Sequence, residues 1–257
     1  MIGLNELGAK GWLGNQMFQY ASLKGIAANR GYDFCIPPND SSRIHNYLLH
    51  DIFKLKNCSN LGYVPFETYY VDHTDLPNSC GFRFNETLFN DCPDNVNING
   101  FFQSEKYFKD IRDEILEDFE FKEDYPLPYE EYIALHVRRG DYVQYSQHFA
   151  LCSVDYYKQA IEIIGVNMPV VVFSDDIAWC RDNIPGDLFI EGNSIAHDLY
   201  IMTKASHNII ANSTYSWWGA WLNQKTNKVV VAPSVWFGPA LAHQNNNDLI
   251  PEEWKTI

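Results

Sequence analysis

Positive charge, patterned cysteine and long apolar runs are what this sequence has least of, and each shortage removes a class of function. Lys and Arg number 19 against 33 Asp and Glu, a formal net charge of −14 over 257 residues. Binding along a nucleic-acid backbone needs many cations to neutralise many phosphates, so this balance argues against a nucleic-acid groove; a small anion needs only a local cluster. The six cysteines (Cys35, Cys58, Cys80, Cys92, Cys152, Cys180) include no C-x-x-C pair, which is neither a zinc-site spacing nor a small disulfide framework. No apolar run approaches the ~20 residues of a membrane span, and the N-terminus carries no charged-then-apolar leader. The expectation is a soluble cytoplasmic protein, or one peripheral to a membrane, with reduced thiols and with the sequons at Asn57, Asn85 and Asn212 unused. Repeats, low-complexity tracts, a P-loop and the G-x-G-x-x-G of dinucleotide-binding folds are absent as well.

What is present is a chain able to build a core. Hydrophobic residues make up 46%, with 7 Trp, 16 Tyr and 16 Phe, a supply that suits packing and stacking on a ligand equally. In the second half, apolar runs alternate with helix-period segments. "YIALHV", "PVVVF", "DLFIE", "HNIIA" and "KVVVA" read as strands, and "SVDYYKQAIEIIG", "IAWCRDNI", "IAHDLYIMTKAS" and "SWWGAWLNQ" as helices between them. That order is a Rossmann-like parallel α/β unit, with Ser153 a helix N-cap and Gly165 a helix stop. In the first half "NQMFQYASLKGIAANRG" is a helix ending at glycine, residues 32–99 are irregular, and "DIRDEILEDFEF" is an acidic amphipathic helix. "KEDYPLPYEEY" reads as a linker. The expected division is a first lobe over 1–127 and a second over 128–257.

In parallel α/β sheets ligands sit beyond the carboxyl ends of the strands. The first strand of the second half ends in "HVRRGDY". Side chains alternate along a strand, so His136 and Arg138 share one face and Val137 and Arg139 the other. This makes Arg138 the candidate for an anionic ligand and Arg139 the structural arginine, with Asp141 its partner. After "VVVF" come Ser174, Asp175 and Asp176, where a carboxylate could accept from a guanine edge or a ribose diol; capping the next helix is the plainer alternative. After "NIIA" come Asn212, Ser213, Thr214 and Ser216, hydroxyls and backbone N–H groups at a helix start that suit an anion or a simple cap. In the first half Gly11 and Gly14 bracket a turn that brings Asn15 and Gln16 to a helix N-terminus. Trp217 and Trp221, at i and i+4, read as core. His197 and Asp198 lie on a helix with no metal role.

Together "GxxGNQMFQYA", "HVRRGDY", "FSDD", "HNIIANSTYSWWGAWL" and "DLIPEEW" resemble glycosyltransferase family 11, the α-1,2-fucosyltransferases. The resemblance implies an α/β fold of GT-B type, two Rossmann-like lobes facing a central cleft. It implies GDP-β-L-fucose as co-substrate, inversion to an α-fucoside on an oligosaccharide acceptor such as a terminal β-galactoside, and no essential metal. By the same resemblance Arg138 would meet the β-phosphate, His136 and Asp175 the guanosine, and Ser213, Thr214 and Ser216 the diphosphate. Gly14 and Asn15 would reach it from the first lobe, and Ser174 and Asn212 complete the donor set. Asp141 is the candidate base beside Arg138 and Asn15. The family has an apolar strand before the glycine turn where this chain has "MIGLNELGAK", so a frayed first strand or reduced lobe is expected. On this reading the arginines supply local positive potential within an acidic protein. A non-catalytic nucleotide-sugar or glycan-binding protein on the same fold is the alternative; a nicotinamide oxidoreductase is disfavoured by the missing glycine fingerprint.

Overall fold

The computed structural model describes residues 1–9, 11–39, 47–58, 60–71 and 82–257. Cys80 lies outside them, and the other five cysteines are free thiols. The chain forms two α/β units, one of residues 1–123 and 244–251 and the other of residues 124–243 and 252–257.

In the first unit four parallel strands, β1 (Ile2–Gly3), β2 (Phe34–Cys35), β3 (Thr68–Val71) and β4 (Val96–Asn99), lie in the order β2-β1-β4-β3. The first strand, only two residues long, is therefore internal to the sheet, and Ile2 is wholly buried. Its shortness reflects the immediate turn at Leu4–Leu7. Against the sheet lies α1 (Leu13–Arg30), with Leu13, Met17, Phe18, Tyr20, Ala21, Leu23 and Ile26 at 0% exposure. A helix buried on so many sides is enclosed by its neighbours, here with α2 (Leu49–Ile52), α3 (Glu86–Asp91) and α4 (Arg112–Asp118) in the same unit. It stops at Gly31, whose φ of 68° is a left-handed C-cap that a side chain would strain.

The charge in this core is paired. Asp118, fully buried, accepts from Lys24 Nζ at 2.6 Å and Tyr20 Oη at 2.9 Å on one oxygen and from the Asn57 amide at 2.7 Å on the other. Burial, and then the Asp118 charge, drive the Tyr20 phenol far above its usual range. The cluster ties α1, α4 and the loop at Asn57 together. Lys24→Met leaves that carboxylate buried without its cation, and we expect a loss of about 3–5 kcal/mol, read as a lower urea midpoint by far-UV circular dichroism.

The second unit contains β5 (Ile133–Val137), β6 (Val170–Ser174), β7 (Leu188–Phe189), β8 (His207–Ile209), β9 (Val230–Ala232) and β10 (Lys255–Thr256). All pair parallel in the order β10-β9-β8-β5-β6-β7. Six strands thus replace the five expected; β10 is short and exposed, with no apolar pattern to reveal it. Its helices are α5 (Gly140–Gln144), α6 (Val154–Ile164), α7 (Ile177–Asn183), α8 (Ile195–Lys204) and α9 (Thr214–Trp221). Ser153 caps α6 by accepting from the Tyr156 amide at 3.1 Å, and Gly165 ends it with φ 69°, as the sequence indicates. Strand β5 is buried on both sides. Ile133, Leu135 and Val137 pack with Tyr157 and Ala160 of α6 and Cys180 of α7, while Tyr132 and Ala134 pack with Ile201 and Met202 of α8. Trp217, Trp218 and Trp221 are buried, at 1% exposure or less, as core rather than platform.

Candidate active site

Counting from β5, the strand order of the second sheet runs two strands one way and then, from β8, three strands the other way. The order reverses between β5 and β8, and at such a switch point the loops leaving the two strands diverge and open a crevice at their carboxyl ends. The β5 loop carries Arg138–Asp141; the β8 loop carries Asn212–Ser213 and enters α9. The two loops touch, since Tyr142 Oη donates to the Asn212 carbonyl at 3.2 Å and the His136 and Tyr215 rings meet edge-on at 5.8 Å.

Three carboxylates surround the two arginines. Arg138 Nη1 lies 2.6 Å from Asp175 Oδ2, and its Nη2 donates to Asp141 Oδ1 at 2.6 Å. Its guanidinium also sits 5.1 Å from the Tyr142 ring centroid. Arg139 turns to the α7 side, with Nε 3.0 Å from Asp176 Oδ2 and its guanidinium 3.7 Å over the Trp179 ring. Two expectations are corrected. Asp141 pairs with Arg138 rather than Arg139, because α5 begins at Gly140 and places 138 and 141 three residues apart on one side of the turn. The cluster is also not a patch of positive potential, since two arginines face three aspartates within ion-pair distance.

Asp175 is more committed than an exposed ligand-reading carboxylate. Its Oδ1 accepts from the backbone amides of Arg139 at 2.9 Å and Gly140 at 3.1 Å, while Oδ2 holds Arg138. This leaves little capacity for a guanine edge. Ser174 Oγ accepts from the Asp176 amide at 3.0 Å, and Asp176 Oδ1 caps α7 through the Trp179 amide at 3.3 Å. Asn212, 1% exposed, donates both amide hydrogens at 2.8 Å, to the carbonyls of Ala150 and Trp236. It is a clamp on the segment after α5, and its side chain is spent. Ser216, also 1% exposed, donates Oγ–H to the Ser213 carbonyl at 3.3 Å. Ser213 and Thr214 are partly exposed at the start of α9, whose first intrahelical bond to Ser213 comes from the Trp217 amide at 3.0 Å. Ser213, Thr214 and the first-turn backbone amides are the groups there that an anion could meet.

In the first unit, Gly14 is buried in the first turn of α1, and Asn15 Oδ1 accepts from Gln103 Nε2 at 2.7 Å. Gly11, at φ +76°, cannot carry a side chain without meeting Asn15 at 2.5 Å. The glycine turn is thus moulded around Asn15. Asp198, read only as a helical residue, accepts from Asn193 Nδ2 at 3.0 Å, and burial raises its pKa. Among the described residues no group of three or more His, Cys, Asp and Glu side chains is arranged to hold a metal, and no helix is long and apolar enough to cross a membrane.

His136 is 7% exposed, and its Nδ1 has no hydrogen-bond partner among the described residues. Burial, then the nearby Arg138 charge, lower its pKa to about 3. A neutral imidazole with an unspent nitrogen suits a polar uncharged group and cannot act as a phosphate counter-charge. Because the folded pKa lies below the unfolded value, unfolding takes up a proton between them. His136 should therefore cost the protein stability as pH falls from about 6.5 towards 3, and contribute no pH dependence above that window. The expected observation is an imidazole that stays neutral in NMR titration from pH 8 to 5, with a stability–pH slope below 6.5 that flattens in His136→Asn.

The chain is similar in sequence to sugar-transferring enzymes. An α-1,2-colitosyltransferase of Escherichia coli is 37% identical over 141 residues, covering 49% of this chain and 47% of the relative. The galactoside 2-α-L-fucosyltransferase SEC1 of Bos taurus is 28% identical over 254 residues, covering 86% of this chain and 64% of the relative. The chain thus spans about half of the first relative's length and under two thirds of the second's. In solved structures, the fucosyltransferase NodZ from Bradyrhizobium superposes with a TM-score of 0.51 at 12% identity, over 85% of this chain and 92% of the other; NodZ has also been solved soaked with GDP-fucose. That likeness is one of fold, and it bears out the α/β class of GT-B type with two parallel-sheet units. The model of glycosyl transferase family 11 matches residues 1–257, and the chain belongs to that family.

Proposed function

We propose that the protein transfers L-fucose from GDP-β-L-fucose, with inversion, to the 2-hydroxyl of a terminal β-galactoside on an oligosaccharide acceptor, without an essential metal. The observation that supports this reading is the placement of Arg138 just past β5 and of the α9 N-terminus just past β8, the two strands that flank the switch point of the six-stranded sheet. The names of the matched relatives supply the sugar and the linkage. As the bond to fucose breaks, negative charge grows on the β-phosphate. A guanidinium and fixed N–H donors beside it lower the barrier because they are already oriented. Ser213 and Thr214 hold the same diphosphate. His136, kept neutral, faces the nucleoside. Asp141, engaged with Arg138, acts as counter-ion more readily than as base. Gly14 and Asn15 belong to the donor set by family resemblance, with Gln103 orienting Asn15.

The colitosyltransferase relative makes a second donor worth an arm of the test, since it shares the α-1,2 linkage and differs in the sugar it names. The deciding experiment incubates the protein with GDP-fucose or GDP-colitose and a panel of β-galactosides, with EDTA present, and reads product linkage by NMR. An α-1,2-fucoside is expected. Calorimetric binding of GDP-fucose with no transfer to any acceptor would favour a non-catalytic binder instead.

The two arginines should separate. Arg138→Lys keeps a charge and loses the planar fork, and we expect turnover to fall by about 10²-fold or more, roughly 3 kcal/mol. Arg139→Lys gives up its bond to Asp176 and its stacking on Trp179, at about 1–2 kcal/mol. It should lower the thermal midpoint while much of the turnover remains. Measuring kcat and melting temperature for both decides it; reversed effects would exchange the two roles.

A further inference from the structure

The diphosphate-facing arginine is already neutralised, and by carboxylates of unequal mobility. Asp175 is held at three points, by the amides of Arg139 and Gly140 on Oδ1 and by Arg138 on Oδ2. It is also walled in, because a Cβ added at Gly140 would lie 2.5 Å from that same Oδ2. Gly140 has no unusual φ to justify glycine, so the carboxylate accounts for the absent side chain. Asp141, by contrast, is 51% exposed, against 27% for Asp175. Each carboxylate takes a different terminal nitrogen of Arg138. Of the five N–H donors of a guanidinium, those directed at Asp141 are the ones a ligand could reclaim most cheaply, because an exposed carboxylate regains water when it leaves.

We propose that Asp175 is the positioning residue of Arg138 and that Asp141 is a resting counter-ion which the donor diphosphate displaces. The inference rests on the donor reading above. Asp175 fixes both the backbone of the turn leaving β5 and the guanidinium on it, so the fork points to one place before any ligand arrives. Asp141 occupies Nη2 of that fork in the free protein and is exchanged for phosphate oxygens on binding. No covalent step is involved; one ion pair replaces another. The two aspartates, equal in charge and both bonded to Arg138, should therefore respond oppositely to neutralisation.

The test measures GDP affinity by calorimetry, and kcat and KM for transfer, in wild type, Asp175→Asn, Asp141→Asn and Gly140→Ala. Asp141→Asn removes a competitor for the arginine and should tighten GDP binding about threefold to tenfold. Asp175→Asn keeps an oxygen for the two amides and loses the anchor on Arg138. It should lower kcat about tenfold or more while GDP binds as well as before or better. Gly140→Ala leaves every charge in place and pushes on the Asp175 carboxylate, so it should lower kcat in the same way. Combined with Asp175→Asn, it should cost less than the sum of the two.

Asp175→Asn turnover within twofold of wild type overturns the positioning role, as does simple additivity with Gly140→Ala. Weaker GDP binding in Asp141→Asn overturns the displacement. If Asp175→Asn fails to fold, Gly140→Ala decides the positioning role alone. Wild-type protein that binds no GDP removes the donor reading and this inference with it, an outcome distinct from wild-type binding with indifferent variants.

Discussion

The carboxylate of Asp175 reaches from the end of one strand to the turn at the end of its neighbour, and the course of the chain beyond β5 depends on that reach. It is available because β5 and β6 run parallel and in register to their last residues, with Val137 opposite Ser174. Their exits therefore lie side by side. An acceptor just past β6 meets the unpaired amides just past β5, groups that would otherwise face the crevice without partners. From there the contacts run outward in order. Arg138 rests near Tyr142, Tyr142 stacks on Phe149 at 4.4 Å, and Asn212 holds the next residue, Ala150, by its carbonyl. The β5 and β8 loops are thereby fastened to each other on either side of the switch point.

The charge arrangement follows from the same geometry. An arginine exposed without a partner in a protein of net charge −14 would draw any small anion, with little preference. Pairing it with carboxylates sets a threshold, because a ligand must offer more than one charged oxygen in the right fork to compete. A diphosphate meets that condition and a chloride ion does not. The neutral His136 would favour a hydrogen-bonding group over a charged one, since its Nδ1 has no partner among the described residues.

How far this was legible in the sequence varied with the kind of signal. Strands β5, β6 and β9 lie in apolar runs, and the turn chemistry at Ser153 and Gly165 is unambiguous, so the second unit could be drawn almost whole. Strand β10 could not, since Lys255 and Thr256 are exposed and carry no pattern. Periodicity correctly set Val137 on the face of Ile133 and Leu135, as the packing of β5 shows. It failed one residue later, because strand period has no meaning past Val137 and the helical start at Gly140 decides who meets Asp141. Asn212 and Ser216 illustrate a different limit. A polar residue near a helix N-terminus looks the same in sequence whether its side chain faces a ligand or is consumed by backbone carbonyls, and only burial separates the two. Asn212 could have been suspected from its apolar approach, "NIIA", which already placed it deep.

The connectivity between the units carries one more consequence. The chain passes from one unit to the other after Glu123, again after His243 and once more after Pro251. Leu249 is buried in the first unit and Asp248 pairs there with Lys106, yet Trp254 packs against Trp217 in the second. A single protease cut in the linker around Pro126 and Pro128 would therefore release no independent fragment, because the closing residues 244–257 still stitch the halves together. No uninterrupted piece of the chain holds the first unit alone, the piece 124–257 holds the second only together with residues 244–251 of the first, and an exchange of the two units between relatives would require two splice points at the C-terminal end as well as one at the linker.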